Sequence, residues 1–507
     1  MIELRVLIWH GWLLEGSGSN VYTARLAEML AAEGHDVLLL CQEGHPERYP
    51  WIDAWGTVGP GGVSIETSGE ASSSTGRCVL LRPQIGRMLP VFVADEYEGF
   101  EVKTFVDLDA DELDRYLDRN VGALRAAADW HGSEAAISGH AVPGAVIARR
   151  ALGPGSFVAK IHGSDIEYAM RVQARYLELA REGLTAARVV VGASSDVIRR
   201  CLELVPGIDR VATVPPGVGV DAFRPRPRSE ALLEVATRLD RDPEAAAGRP
   251  STTDDAVERA MAARDAGALD DLAHAYDQRV PDPGAAGRLR ELGPRTDPVV
   301  GYFGKLIPQK GVELALAAAR LSKHRPTSLI VGFGLHREWL TALDIALRTR
   351  DVDALAWLRD SGGLPIEPPA VELAQGPGLT IFTGRLDHRY APSALAAMDV
   401  LLVPSILEEA FGMVAIEGAA AGALPLVARH SGLAEVASAL EDAVDRPGLF
   451  SFQPGPGSTS RIADGIDRIL SLPGEERERL RLEINEFVAR EWSWKRTASR
   501  LLDAAST

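Results

Sequence analysis

Short, wholly apolar runs recur along the chain, each followed by a stretch whose apolar positions have helical spacing. LRVLIW (residues 4–9) leads into a Gly/Ser turn and the amphipathic VYTARLAEMLAAEG (21–34), with Gly34 placed to end the helix. DVLLLC (36–41) then completes a strand–helix–strand unit. SFVAKIHG (156–163) and RVVVGAS (188–194) repeat the pattern before Pro215-Pro216-Gly217 breaks it. Runs apolar on both faces suit a parallel sheet covered by helices. A second series begins at Pro298, with strands predicted in PVVGYFGKL (298–306), TSLIVGFG (327–334), GLTIFTGR (378–385), DVLLVPS (399–405) and LPLVA (424–428).

Two Rossmann-like α/β halves are therefore predicted, flanking a different kind of segment. Residues 225–296 are rich in Ala, Asp, Glu and Arg and poor in aromatics, which reads as solvated helices with a flexible stretch near Gly248–Thr253. A polar excursion near 360–378 reads as a surface insertion, and EFVAREWSWKRTASRLL (486–502) as an amphipathic helix whose Trp492 and Trp494 need burial. The expected boundaries are 1–224 for an N-terminal Rossmann-like domain, 225–296 for a helical linker or insertion, 297–488 for a C-terminal Rossmann-like domain, and 489–507 for a helix packing back on the first.

At 507 residues the chain exceeds what one core serves, and 46% hydrophobic with 25% charged residues is ordinary for a soluble globular protein. The net charge of −17 disfavours nucleic acid and anionic lipid, so a phosphate site must be a local exception built from a few cations or helix N-termini. Cys41, Cys78 and Cys201 are too few and too scattered for a disulfide framework or a metal site and are expected as buried thiols. Met1-Ile2-Glu3-Leu4-Arg5 lacks the layout of a signal peptide, and no apolar run reaches the roughly 18 residues of a membrane span, so a cytoplasmic protein is expected.

The densest local chemistry is PSILEEAFGMVAIEGAAAGALP (404–425): a strand end, an acidic loop, and Phe411-Gly412 opening a helix. Gly412 lets backbone approach a ligand, and the free N–H groups of 412–414 form an anion site. Glu409 stands before this helix and Glu417 inside it, a pattern suited to a central diphosphate with hydroxyl-bearing groups on both sides. Helix-dipole compensation alone would also explain acids there. In GYFGKLIPQKG (301–311), Lys305 and Lys310 leave a buried strand five residues apart and could offset a diphosphate's charge.

In this order and at these offsets, the elements resemble the C-terminal domain of glycosyltransferase family 4. Its members typically carry G-R/K-L-x-x-x-K-G after the first strand of that domain, here Gly304-Lys305-Leu306…Lys310-Gly311. They later carry P-S…E-x-F-G-x-x-x-x-E, the E-x7-E motif, here Pro404-Ser405…Glu409-Ala410-Phe411-Gly412…Glu417. VGFG (331–334) and FTGRLDHRYAPSALAAMDV (382–400) resemble the family's connecting pieces, and VPPGVGVDAFRP (214–225) its close of the first domain. The resemblance implies a GT-B fold, two Rossmann-like domains facing each other across a cleft, and retaining sugar transfer from a nucleoside-diphosphate sugar to a small-molecule, glycan or lipid hydroxyl. It implies that Lys305 and Lys310 bind the donor diphosphate near Gly304, that Glu417 holds ribose hydroxyls, and that Glu409 contacts the sugar near the reacting carbon. The backbone of Phe411, Gly412, Met413 and Val414 would touch sugar and phosphate, and Gly384, Arg385 and Leu386 would border the nucleobase. Many members carry Arg where Lys305 stands, which puts the donor geometry in question.

In the first half, Gly16 and Gly18 of EGSGSN (15–20) resemble the family's glycine loop over the donor phosphate. A dehydrogenase fingerprint is the rival, but Val21 stands where its third glycine belongs. His162 in KIHGSD (160–165) ends a strand where family members often reach the donor sugar, and His140 is a weaker candidate. Asp107-Leu108-Asp109 is read as a helix cap rather than a metal site. No metal and no cofactor is expected, and a homo-oligomer stays open. The alternatives are a GT-B sugar phosphorylase, a nucleotide-sugar epimerase, or a non-catalytic nucleotide-sugar-binding subunit.

Overall fold

The computed structural model describes residues 3–68, 75–93, 97, 99–362 and 378–506. It forms two compact units, Met1–Gly217 with Trp492–Thr507, and Val218–Glu491.

In unit 1 the strands are β1 (Arg5–Trp9), β2 (Asp36–Leu40), β3 (Ala54–Gly59), β4 (Gly62–Ser68), β5 (Arg77–Pro83), β6 (Met88–Val91), β7 (Glu101–Thr104), β8 (Ala135–Gly139), β9 (Val158–Lys160), β10 (Val189–Gly192) and β11 (Val211–Thr213). Nine of them form one sheet in the order β11-β10-β9-β8-β1-β2-β5-β3-β4, parallel throughout except between β3 and β4. The antiparallel β3–β4 hairpin extends the parallel sheet that the apolar runs suggest, and β6 and β7 pair separately. The central strands are buried along nearly their whole length, as their continuous apolar sequence requires. Helix Gly18–Ala32 joins β1 to β2, and helix Trp494–Ser506 packs beside it. Trp492 and Trp494 are both buried, with the Trp494 ring 5.4 Å from that of Tyr22. Arg188 donates to the Ala505 carbonyl and Lys495 pairs with Glu33, so the terminal helix is tied down at several points. Asp109 caps helix Ala110–His131 in a reciprocal capping box with Glu112, which accounts for the acidic run there. The three cysteines are buried and free.

Unit 2 contains β12 (Val299–Lys305), β13 (Thr327–Phe333), β14 (Thr380–Phe382), β15 (Val400–Val403), β16 (Leu424–Ala428) and β17 (Ser451–Phe452). They form a six-stranded parallel sheet in the order β14-β13-β12-β15-β16-β17. The chain order reverses between β12 and β15, where open α/β sheets bind ligands beyond the strands' carboxyl ends. The polar excursion predicted near 360–378 lies mostly outside the described residues. No helix among the described residues is long and apolar enough to cross a membrane.

Residues 225–296, expected as a helical linker or insertion, form helices Arg228–Leu239, Thr253–Ala263, Ala266–Leu272 and Ala285–Leu292 within unit 2. Val257, Met261 and Leu269 are buried in one cluster with Trp339, Leu340 and Leu343. Arg249 grips Glu338 through two hydrogen bonds of 2.8 and 2.7 Å, both side chains being buried, and the Tyr276 hydroxyl donates to the same carboxylate at 2.8 Å. The Ala-rich helices pack closely because alanine leaves little to fill, so few large apolar residues are needed to seat them.

Candidate functional site

The lysine turn and the acidic loop of unit 2 are built as one piece. After β12 the chain makes a single turn, Pro308–Lys310, closed by Gly311 at φ +64°. A Cβ on Gly311 would lie 2.3 Å from the Pro404 carbonyl oxygen, so only glycine lets the two segments approach this closely. The Gln309 carbonyl accepts the N–H groups of Ile406 and Leu407 at 2.9 and 3.2 Å. Lys310 Nζ then reaches Glu409 Oε1 at 2.5 Å, and the Ser405 hydroxyl donates to the same oxygen at 2.5 Å. Burial pushes the Glu409 carboxyl upward, but Lys310, Ser405 and His430 outweigh it and hold the group below the usual carboxylate range. Glu409 is thus a fixed carboxylate with one oxygen doubly held. Oε2 takes no hydrogen bond among the described residues.

Beyond it, Phe411 is buried and Gly412 turns at φ +99° into helix Met413–Ala421. A Cβ on Gly412 would meet Leu433 at 2.3 Å. Gly412 brings no side-chain cap to this helix, so the first-turn amides of Met413 and Val414 are suited to attract an anion. Glu417 follows one turn later, mostly buried, with its carboxylate 3.5 Å from the His388 imidazole. The motif places the two glutamates on opposite sides of the helix start, as their spacing suggested. His388 was not singled out in the sequence, since a lone histidine in a polar stretch carries no pattern.

Gly304 and Lys305 end β12, and the Lys305 carbonyl accepts from the Tyr302 hydroxyl at 2.8 Å. Lys305 does not join the Lys310–Glu409 pair. Its ammonium lies 5.9 Å from the Phe333 ring centroid, and the Arg385 guanidinium lies 5.4 Å from the same ring. Two cations therefore flank one aromatic side chain at the ends of β12 and β13. Gly384, at φ +72°, is pressed against residues 280–282: Arg385 N–H donates to Val280, and Asp282 N–H to Thr383. A Cβ on Gly384 would sit 2.6 Å from Asp282 N. Leu386 is buried behind this edge. The 225–296 segment thus backs the Gly384–Leu386 stretch directly.

In unit 1, Gly16 turns at φ +93° and Ser17 caps helix Gly18–Ala32. An added Cβ at Gly16 or Gly18 would meet nothing within 4 Å, leaving open space over the loop. His162 begins the turn after β9 and stacks near Tyr22, at 5.8 Å, and His140, at 4.4 Å. His140 is buried in a left-handed conformation at φ +70°. The Asp165 carboxylate accepts the N–H groups of Ala141 (2.6 Å), His162 (3.1 Å) and Ile166 (3.0 Å), pinning both histidine-bearing turns together. His10 is clamped between Asn20 and Thr23 at 3.0 and 3.1 Å. Burial pushes all three imidazoles down, His10 to about 4 and the other two well below the ordinary range, so they stand neutral. It also lowers Lys160 to about 7 and raises Asp165 to about 7. Lys160 and His10 went unnoticed in the sequence because each sits inside an apolar run, where a strand's buried residues are expected.

Residues 370–486 match the family model described as "Glycosyl transferases group 1". The chain is 30% identical over 210 residues to a glycogen synthase of Mycobacterium tuberculosis, covering 41% of this chain and 42% of that protein. It is 32% identical over 165 residues to a GDP-mannose-dependent alpha-(1-6)-phosphatidylinositol dimannoside mannosyltransferase of the same species, covering 30% and 39%. The chain thus spans less than half the length of these curated relatives. Among solved structures, sucrose-phosphate synthase from Thermosynechococcus elongatus is similar with a TM-score of 0.59 at 18% identity, over 99% of this chain and 98% of that one. Anabaena HepE in complex with UDP and glucose gives 0.57 at 13%, over 99% and 100%. The fold is the GT-B glycosyltransferase fold, with a glycosyltransferase group 1 segment in its second unit.

Proposed function

We propose that the chain is a retaining glycosyltransferase of family 4 type, moving a sugar from a nucleoside-diphosphate sugar to a hydroxyl acceptor. The observation that carries this is the ionised Glu409, held on one oxygen by Lys310 and Ser405 with the other oxygen open, at the mouth of an uncapped helix. The matched glycosyltransferase segment and the HepE complex with UDP and glucose support it.

In this reading the diphosphate lies against Lys305, Lys310 and the amides of Met413 and Val414, and Glu409 Oε2 accepts a hydroxyl of the transferred sugar. Glu417 takes the ribose, with Gly384, Arg385 and Leu386 at the nucleobase. The acceptor oxygen attacks the anomeric carbon on the face the diphosphate leaves. The new C–O bond forms as the old one breaks, and the departing phosphate oxygen takes the acceptor's proton. The cations and helix amides offset the charge growing on that phosphate, so the scheme calls for no metal and no cofactor. The proposed setting is the cytoplasm, in keeping with three free cysteines and an acidic chain.

The test is thermal stabilisation by UDP, GDP and ADP, each alone and as sugar conjugates, on wild type and Lys310→Ala. Ligand at about 100 times its dissociation constant should add about 2.7 kcal/mol. One base stabilising the wild type, with the effect lost in Lys310→Ala, supports the donor site. No shift with any of the three removes it.

A further inference from the structure

We infer that His430, with Ser431, is a positioning residue that sets Glu409 for the sugar, an inference that rests on the donor-site reading above. His430 stands between β16 and helix Ser431–Ala443, 21 residues beyond Glu409 and outside the E-x7-E motif. Its Nε2 lies 2.7 Å from the Ser405 carbonyl oxygen, and its Nδ1 lies 3.1 Å from the Ser431 hydroxyl. A carbonyl only accepts, so Nε2 carries the proton donated to Ser405, and Nδ1 is the atom bonded to the Ser431 hydroxyl. The Ser431 oxygen in turn accepts the Glu409 backbone N–H at 2.9 Å, and Gly432 N–H donates to the Glu409 carbonyl at 3.0 Å.

The loop is therefore held at both ends by one imidazole. The Ser405 carbonyl is fixed directly, and the Glu409 backbone is fixed through Ser431. The Ser405 hydroxyl on Glu409 Oε1 closes the circuit. A non-helical loop has no repeating ladder to fix its carboxylate, so its geometry depends on such individual bonds. Ser431 takes a left-handed φ of +49°, an uncommon conformation for serine that the bonds to Glu409 and His430 hold in place. Gly432 completes the fit: a Cβ there would lie 2.5 Å from the Ala410 carbonyl oxygen. His430, Ser431 and Gly432 thus form a socket for residues 405–410, and the open Oε2 is the part of Glu409 this socket aims.

Glu409 is assigned to the sugar and the lysines to the diphosphate, so loosening the socket should separate the two in binding. The experiment compares the affinity of the full chain for UDP, ADP and GDP with that for UDP-glucose, ADP-glucose and GDP-mannose, by titration calorimetry. For the pair that binds wild type, His430→Ala should weaken the nucleotide sugar about tenfold and leave the bare nucleotide within about twofold. His430→Gln, which keeps an N–H at the reach of Nε2, should recover most of the loss. A fold-wide defect would lower both affinities together and would not respond to glutamine. Equal loss of both ligands in His430→Ala, or wild-type affinity for both, overturns the inference while leaving the donor site standing. A wild type that binds none of the six overturns the donor-site reading and this inference with it.

Discussion

The histidine cluster of unit 1 and the ion pairs of unit 2 bury ionisable groups in opposite ways. In unit 1, His10, His140, His162 and Lys160 lie among aromatic and aliphatic neighbours, and burial holds the three histidines neutral and lowers Lys160 to about 7. Among the described residues, neither ring nitrogen of His140 nor Lys160 Nζ has a hydrogen-bond partner. In unit 2, Glu409 is met by Lys310 and Glu338 by Arg249. Desolvation acts on Glu409 as it does on the histidines, but the nearby opposite charge of Lys310 holds its carboxyl below the usual range. The difference shows what a counter-charge does for a buried group: with one it stays charged, and without one it is driven toward the neutral form.

Removing one partner of a paired charge should give the largest effect. Glu338→Gln leaves the Arg249 guanidinium buried without its carboxylate and should cost about 3–5 kcal/mol in urea unfolding of unit 2. A loss below about 1 kcal/mol would mean that Asp254, 2.8 Å from Arg249, carries the charge alone.

Acid should then separate the units. The neutral histidines of unit 1 protonate in the unfolded chain from about 6.5 downward, so the unfolded state binds more protons and stability falls with pH below that point. His10 alone, lowered from 6.5 to about 4, would remove about 3 kcal/mol across that window at about 1.4 kcal/mol per pH unit. Glu409 is lowered from 4.5, so its contribution persists above 4.5 and is lost only as pH falls through its folded value. Hydrogen exchange at pH 5 should show β1, β8 and β9 loosening more than β12 and β15, because burial lowers His10, His140 and His162 in unit 1, against His336 in unit 2. Equal loosening would dissolve the comparison.

Lys310→Ala should convert Glu409 to the condition of the unit 1 groups. With its counter-charge gone, burial is opposed by Ser405 and His430 alone and the carboxyl should titrate above its usual range. Turnover should fall about 100-fold, equal to about 2.7 kcal/mol, with a new ionisation in the pH–rate profile. An unchanged profile would show that Ser405 and His430 suffice to keep the carboxylate charged. The smallest effect is expected at His388→Ala, where an exposed imidazole leaves Glu417: a change of about two- to fivefold in nucleotide affinity, read by calorimetry.

Much of this was legible in the sequence because it depends on short-range rules. The parallel strands announce themselves as apolar runs, and Gly311 and Gly412 sit in a spaced pattern with the residues they serve. The residues missed owe their roles to partners far along the chain. His430 meets Ser405 across 25 positions, and Arg249 meets Glu338 across 89. Composition also misled over 225–296. A high charge fraction suggested solvent, yet Arg249 pairs with Glu338, Asp282 pairs with Arg337, and Val257, Met261 and Leu269 are buried.

The closing of unit 1 by residues 492–507 has a consequence for biosynthesis. The sheet of unit 1 leaves the ribosome first, but the helix that covers Tyr22 and the neighbouring strands is translated only after all of unit 2. Unit 1 must therefore wait, its flank uncovered, while some 270 residues are added, at roughly 5–20 residues per second. For that interval the nascent chain offers an apolar surface to chaperones and proteases, and the last helix acts as the latch that ends its exposure.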